Sequence, residues 1–142
     1  MERMLVAYDG SEGADKALQR AVLLSESGDE IFLIAVVADS PTMAEYIDRW
    51  MSESAGAKAL EHVNEGIAET RRRLALAGKK VAVNGFVRKG NAAEELINAA
   101  QELGATLLLI GYRGQSKIGP FPLGSVTEKV VRHALVPVIV VR

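Results

Sequence analysis

Short apolar runs alternate with stretches of helical period from one end of the chain to the other. Residues 4–8 form the first run, closed by the turn chemistry of Asp9, Gly10 and Ser11. Ala14, Ala17, Leu18, Ala21 and Val22 then recur at the spacing of an amphipathic helix. Ser11 reads as its N-cap, Glu12 falls in its first turn, and Gly28 reads as its stop. A second run, residues 31–37, ends at Asp39, Ser40 and Pro41. The stretch 41–78 reads as helical in two pieces. Ser40 caps the first, Pro41 takes the favoured first position, and Met43, Ile47 and Trp50 share a face. Leu60, Val63, Ile67 and Leu74 stripe the second, which Gly78 closes. Arg71, Arg72 and Arg73 form a solvated face near its C-terminus, where cations suit the helix dipole.

The second half repeats the alternation. Residues 81–87 read as a third strand. Asn91 with Glu94 resembles a capping box and leads a helix that turns Ala93, Leu96, Ile97 and Ala100 inward and ends at Gly104. Residues 106–110 are apolar on both faces, the mark of a central strand. A glycine-rich loop follows, then a helix carrying Val126, Val130, Val131 and Ala134, and residues 137–141 form a last strand. Strands alternating with helices imply βαβ units, right-handed crossovers and a parallel sheet covered on both faces. The whole of residues 1–142 reads as one doubly wound α/β domain, with no repeat or low-complexity tract. Periodicity does not reveal the strand order.

Composition narrows the function. Seventeen Lys+Arg against eighteen Asp+Glu leave a net charge of −1, which argues against a nucleic-acid binder. The chain has no cysteine, so disulfides, thiolate catalysis and cysteine metal sites are excluded. No apolar run reaches the length of a membrane span, and the first residues lack a signal-peptide pattern. The expectation is a soluble cytoplasmic protein with no membrane partner.

In doubly wound sheets, ligands sit beyond the carboxyl ends of the strands, where the winding reverses. After the fourth strand, Gly111, Gly114, Gly124 and Ser125 stand in a G-x2-G-x9-G-S spacing. Glycines let backbone N–H groups approach an anion, the next helix opens at Gly124 and Ser125, and Arg113 and Lys117 add positive charge. That is a polyphosphate cradle unlike the P-loop or the dinucleotide fingerprint, both of which are missing. Turn chemistry explains the same glycines about equally well. Ser125 through Glu128 also reads as a capping box, which engages the serine with its own helix. Asp9 suits the opposite end of a nucleotide, accepting from adenine or ribose, or else an Asx turn into the first helix. A receiver-type phosphoacceptor site is rejected, because the third strand ends Val87-Arg88 and the fifth has no lysine. His62 lies among polar residues and reads as solvated, and His133 falls in the last turn of the final helix. Neither histidine has a partner at metal-ligand spacing. Trp50 and Met51 read as packing on the sheet.

Taken together, Asp9-Gly10-Ser11 after the first strand, Ala35-Val36-Val37 at the end of the second, the glycine spacing, and the closing Gly124-Ser125-Val126-Thr127-Glu128, His133 and Pro137-Val138-Ile139-Val140-Val141 resemble the ATP-binding branch of the universal stress protein family. The resemblance spans essentially the whole chain. It implies a five-stranded parallel sheet in the order 3-2-1-4-5, with ATP held at the switch point. It puts adenine near Asp9 and Val36, and phosphates on Gly111, Gly114, Gly124 and Ser125, with the Val126 backbone bordering them and Gly90 nearby. Mg²⁺ would accompany the ATP, coordinated mainly by phosphates and water. Pro120 and Pro122 depart from the family pattern by removing two N–H donors from the loop. The apolar final strand, an edge in that order, invites pairing with a second copy, and the resemblance implies the same homodimer. Three functions follow: a dimeric, nucleotide-dependent stress or regulatory protein read by a downstream protein partner, a slow ATPase or phosphotransferase, or an interaction module that uses the fold without nucleotide. The first is favoured, since the loop offers donors and cations but no evident general base.

Overall fold

The computed structural model describes residues 1–38, 45–113 and 123–142, with the described side chains of the second helix beginning at Gly56. The elements run β1 (Arg3–Ala7), α1 (Glu12–Leu24), β2 (Glu30–Val37), α2 (Glu45–Leu76), β3 (Ala82–Lys89), α3 (Ala92–Glu102), β4 (Leu107–Gly111), α4 (Ser125–His133) and β5 (Val138–Val141). All the strands are parallel, in the order β3-β2-β1-β4-β5. The doubly wound sheet, and the order that the family resemblance implied, both hold.

Strand alternation divides the core in two. Met4, Val6, Ile31, Leu33 and Leu109 point to one face, under α1 and α2. Leu5, Ile34, Leu108 and Ile110 point to the other, under α3 and α4. β1 and β4 are apolar on both faces because both faces are covered. Sequence capping works where the first turn is polar: Ser11 Oγ accepts from the Ala14 N–H at 3.1 Å, and Asn91 Oδ1 from the Glu94 N–H at 3.1 Å.

Several local expectations are corrected. Over residues 45–76 the middle segment is one helix rather than two pieces; Ser40, Pro41 and Met43 lie outside the described residues. Its inward line runs Val63, Gly66, Thr70 and Leu74, and Leu60, one position off that line, is 50% exposed. A buried threonine hides the line from a hydropathy reading; its hydroxyl is satisfied by donating to the Gly66 carbonyl at 2.7 Å. Arg71 and Arg72 are exposed, as a solvated face requires, but each charge is engaged. Arg71 Nη2 donates to the Val83 carbonyl of β3 at 3.0 Å, while Arg72 and Arg73 both hold Glu69. α1 stops at Ser25, before Gly28, because the Ser25 hydroxyl bonds back to the Val22 carbonyl at 2.8 Å. In α4, Thr127 and Val130 take the inner line, and Val131 is 45% exposed.

Candidate functional site

β1 and β4 are neighbours whose connections leave toward opposite faces, so their carboxyl ends open a crevice. After β1 the chain turns sharply. Asp9 Oδ1 accepts from the Ser11 N–H at 2.9 Å, an Asx turn that hands over to the Ser11 cap of α1. Tyr8 goes to the other face, where its hydroxyl donates to Asp15 Oδ1 at 2.8 Å. Burial, together with the Asp15 carboxylate, pushes the Tyr8 phenol far above its ordinary range. The ring of His62, on α2, lies against Gly10. His62 is therefore half-buried against the β1–α1 turn, rather than solvated as its polar sequence neighbours suggest.

After β4 the chain is held from three sides. A β-carbon on Gly111 would come within 2.8 Å of the Gly13 backbone, and one on Gly13 would collide with the Arg113 carbonyl oxygen. The first turn of α1 and the exit of β4 thus touch backbone to backbone, which only two glycines allow. From the other face, Thr127 Oγ1 donates to the Gly111 carbonyl across a buried 2.8 Å. The Tyr112 carbonyl accepts from the Gly124 N–H at 3.0 Å, tying the residue after β4 to the residue before α4. The guanidinium groups of Arg113 and Arg142 stand 5.6 and 4.9 Å from the centre of the Tyr112 ring.

The start of α4 differs from the capping box expected of Ser125. Gly124 is the N-cap, Ser125 is the first helical residue, and no side chain caps the helix. Its first internal bond runs from the Glu128 N–H to the Gly124 carbonyl at 2.9 Å, so the amides of Ser125, Val126 and Thr127 precede the helical ladder. The Ser125 hydroxyl is exposed and makes no hydrogen bond to another described residue.

These pieces wall a cavity of about 740 Å³. Its apolar end is Ala7, Ile34, Val36, Leu96 and Ile110, and its polar end is Arg113, Gly124, Ser125, Val126 and Thr127, with Asp9 and Ser11 at the side. Of the residues singled out from sequence, Asp9, Val36, Gly111, Arg113, Gly124, Ser125 and Val126 all line it. Gly90 does not. It turns the chain between β3 and α3, its N–H bonded to the Val37 carbonyl and the Glu95 carboxylate lying where a side chain would go. Its neighbour Ala92 reaches the cavity instead. Gly114, Lys117, Pro120 and Pro122 lie outside the described residues. Sequence reasoning missed Gly13 and passed over Thr127; the signal for the first was a glycine inside a first helical turn, and for the second a hydroxyl at an inward position. Among the described residues, no group of three or more His, Asp or Glu side chains could hold a metal ion, and no helix is long and apolar enough to cross a membrane.

Comparison with known proteins identifies the family and the fold. The model of the universal stress protein family matches residues 1–142. The universal stress protein YxiE of Bacillus subtilis is 34% identical, over 99% of this chain and 98% of its own length. Among solved structures, the universal stress protein UspA from Lactobacillus plantarum superposes with a TM-score of 0.79 at 25% identity, covering 99% of this chain and 97% of that one. A universal stress protein in complex with cAMP (TM-score 0.70, 22% identity, 99% and 97% covered) and an Arabidopsis thaliana family protein with AMP bound (TM-score 0.65, 15% identity, 99% and 91% covered) share the fold.

Proposed function

The chain belongs to the universal stress protein family, and from that premise we propose that it binds ATP with Mg²⁺ in the cavity beyond β1 and β4 and acts as a cytoplasmic, dimeric, nucleotide-dependent regulator read by a protein partner. The observation that carries the reading is one cavity lined both by apolar side chains and by the start of α4, which no side chain caps. A purine gains from burial among Ile34, Val36, Leu96 and Ile110, beside the acceptor oxygens of Asp9. Phosphoryl oxygens gain from the amides of Ser125 and Val126, the Ser125 hydroxyl, the α4 dipole and the charge of Arg113. Adenine nucleotides bound to family proteins of the same fold support the ligand class. Mg²⁺ would neutralise part of the triphosphate charge, with its remaining coordination from water.

The same cavity argues for binding over turnover. Glu128 reaches it, but its carboxylate is 2.9 Å from Arg132 Nη2, and Asp9 is assigned above to the purine rather than to the phosphates. Rapid hydrolysis needs a group positioned to orient water at the terminal phosphate, and neither carboxylate is offered for that. Isothermal titration with MgATP tests the reading: heat with the unmodified protein, and its loss in Gly124→Val, are the expected results. No heat from the folded, nucleotide-free protein overturns it. A γ-labelled ATP assay showing fast turnover would make the protein an enzyme.

A further inference from the structure

Helix α4 begins in a contradictory way. Its first residue is a serine, the residue type best suited to cap a helix, yet that serine sits one position too late to do so and the cap is a glycine with no side chain. A helix of nine residues that starts without a cap should fray. What holds it is the third residue. Thr127 is 2% exposed, and its hydroxyl donates to the Gly111 carbonyl at the exit of β4. That bond joins α4 to the sheet rather than to itself, and it is opposed from the α1 side by the contact between Gly13 and Gly111. Gly111 is thus gripped between two helices.

We infer that Thr127 is a positioning residue, whose hydroxyl anchors the start of α4 to Gly111 and thereby leaves the Ser125 hydroxyl and the first amides of the helix free to take the phosphoryl end of a nucleotide. This rests on the nucleotide reading above and adds a division of labour: anchoring belongs to Thr127 and ligand contact to Ser125. The effect is confined to phosphate. The apolar end of the cavity is built mainly on β1, β2, β4 and α3, and α4 adds only Val126 at its border.

The test compares ATP with adenosine on the unmodified protein, Thr127→Val and Thr127→Ser. Valine keeps the branched shape and removes the donor, and serine keeps the donor. The expected result is a fall in ATP affinity of about tenfold for Thr127→Val, the worth of one well-placed hydrogen bond or slightly more. Adenosine affinity should stay within about twofold, and Thr127→Ser should recover ATP binding. Thr127→Val binding ATP as the unmodified protein does, ATP and adenosine weakening together, or Thr127→Ser failing like valine would each overturn the inference while leaving the nucleotide reading intact. An unmodified protein that binds neither ligand fails the nucleotide reading itself. Should Thr127→Val not fold, Ser125→Ala decides: an unchanged melting temperature with weakened ATP binding supports the division of labour, and a lowered melting temperature shows that Ser125 is capping and overturns it.

Discussion

The imidazole of His62, in the middle of α2, rests on Gly10, in the turn between β1 and α1, so closely that a β-carbon on Gly10 would lie 2.5 Å from Nδ1. Gly10 also has φ +79°, a conformation that side chains disfavour. Gly10→Ala should therefore destabilise the protein by about 2 kcal/mol, from backbone strain plus displacement of the ring. Adding His62→Ala should restore part of this, since the two residues touch and their effects cannot add. Urea denaturation of the single and double variants measures both. Simple additivity would show that the ring moves aside at no cost.

Tyr8 predicts the alkaline behaviour. Burial and the bond to Asp15 favour the neutral phenol, raising its pKa in the folded state. A group raised in this way contributes stability that is complete below its unfolded pKa, near 10, and declines as pH rises beyond that, because only the unfolded chain releases the proton. Tyr8→Phe should flatten the loss of stability above pH 10 while costing about 1 kcal/mol at neutral pH for the missing hydrogen bond. Equilibrium denaturation at several pH values gives both numbers. An unchanged slope above pH 10 contradicts the assignment.

Asp29 governs the acid side. It is 7% exposed, and its two oxygens accept from the N–H groups of Glu26 and Glu2, each at 2.8 Å. The bond from Glu26, helped by that from Glu2, lowers its pKa below the ordinary carboxylate range. The stability it contributes is present above about pH 4 and lost as pH falls through the lowered value. Asp29→Asn should cost about 2 kcal/mol at pH 7, because an amide nitrogen would then face an N–H donor. That cost should shrink as the pH falls through the lowered pKa and the native carboxylate is itself protonated. A cost independent of pH would mean that packing, not charge, is what Asp29 supplies.

The β5 edge predicts assembly. The Pro137 and Val141 carbonyls accept from Leu108 of β4 and from Tyr112 just after it, so by alternation Val138 and Val140 turn their backbone groups outward. Val140→Pro removes an outward N–H without touching the ladder to β4. Light scattering should show a dimer for the unmodified protein and a monomer for the variant, and a variant that remains dimeric removes β5 from the interface.

Element order and class are legible in the residues because strand and helix periods differ and both faces of the sheet are buried. Strand order is not, since nothing local distinguishes one parallel edge from another; it came from the resemblance of Asp9, Val36 and the glycine spacing to a family. The lining of the cavity is legible as far as it follows strand ends, which is why Asp9, Gly111, Arg113 and Gly124 can be read from sequence as neighbours there. What escaped was decided by tertiary contact. Ser125 and Thr127 are two residues apart, both able to bond a backbone, and only the position of β4 determines that Thr127 bonds and Ser125 does not. His62 sits among charges in sequence and over a glycine in space. Leu60 and Val63 look alike until the helix meets the sheet.

The contact between Gly13 and Gly111 joins the first helix of the chain to its fourth strand. During synthesis, β1 and β2 emerge early and can pair, laying down Ala7, Ile34 and Val36 before any of the donors from α4 exist. The polar end arrives only when residues 124–127 have left the ribosome and β4 has docked beside β1. The cavity is therefore completed from the two halves of the chain, and the uncapped start of α4 is the part of its wall that comes last in sequence.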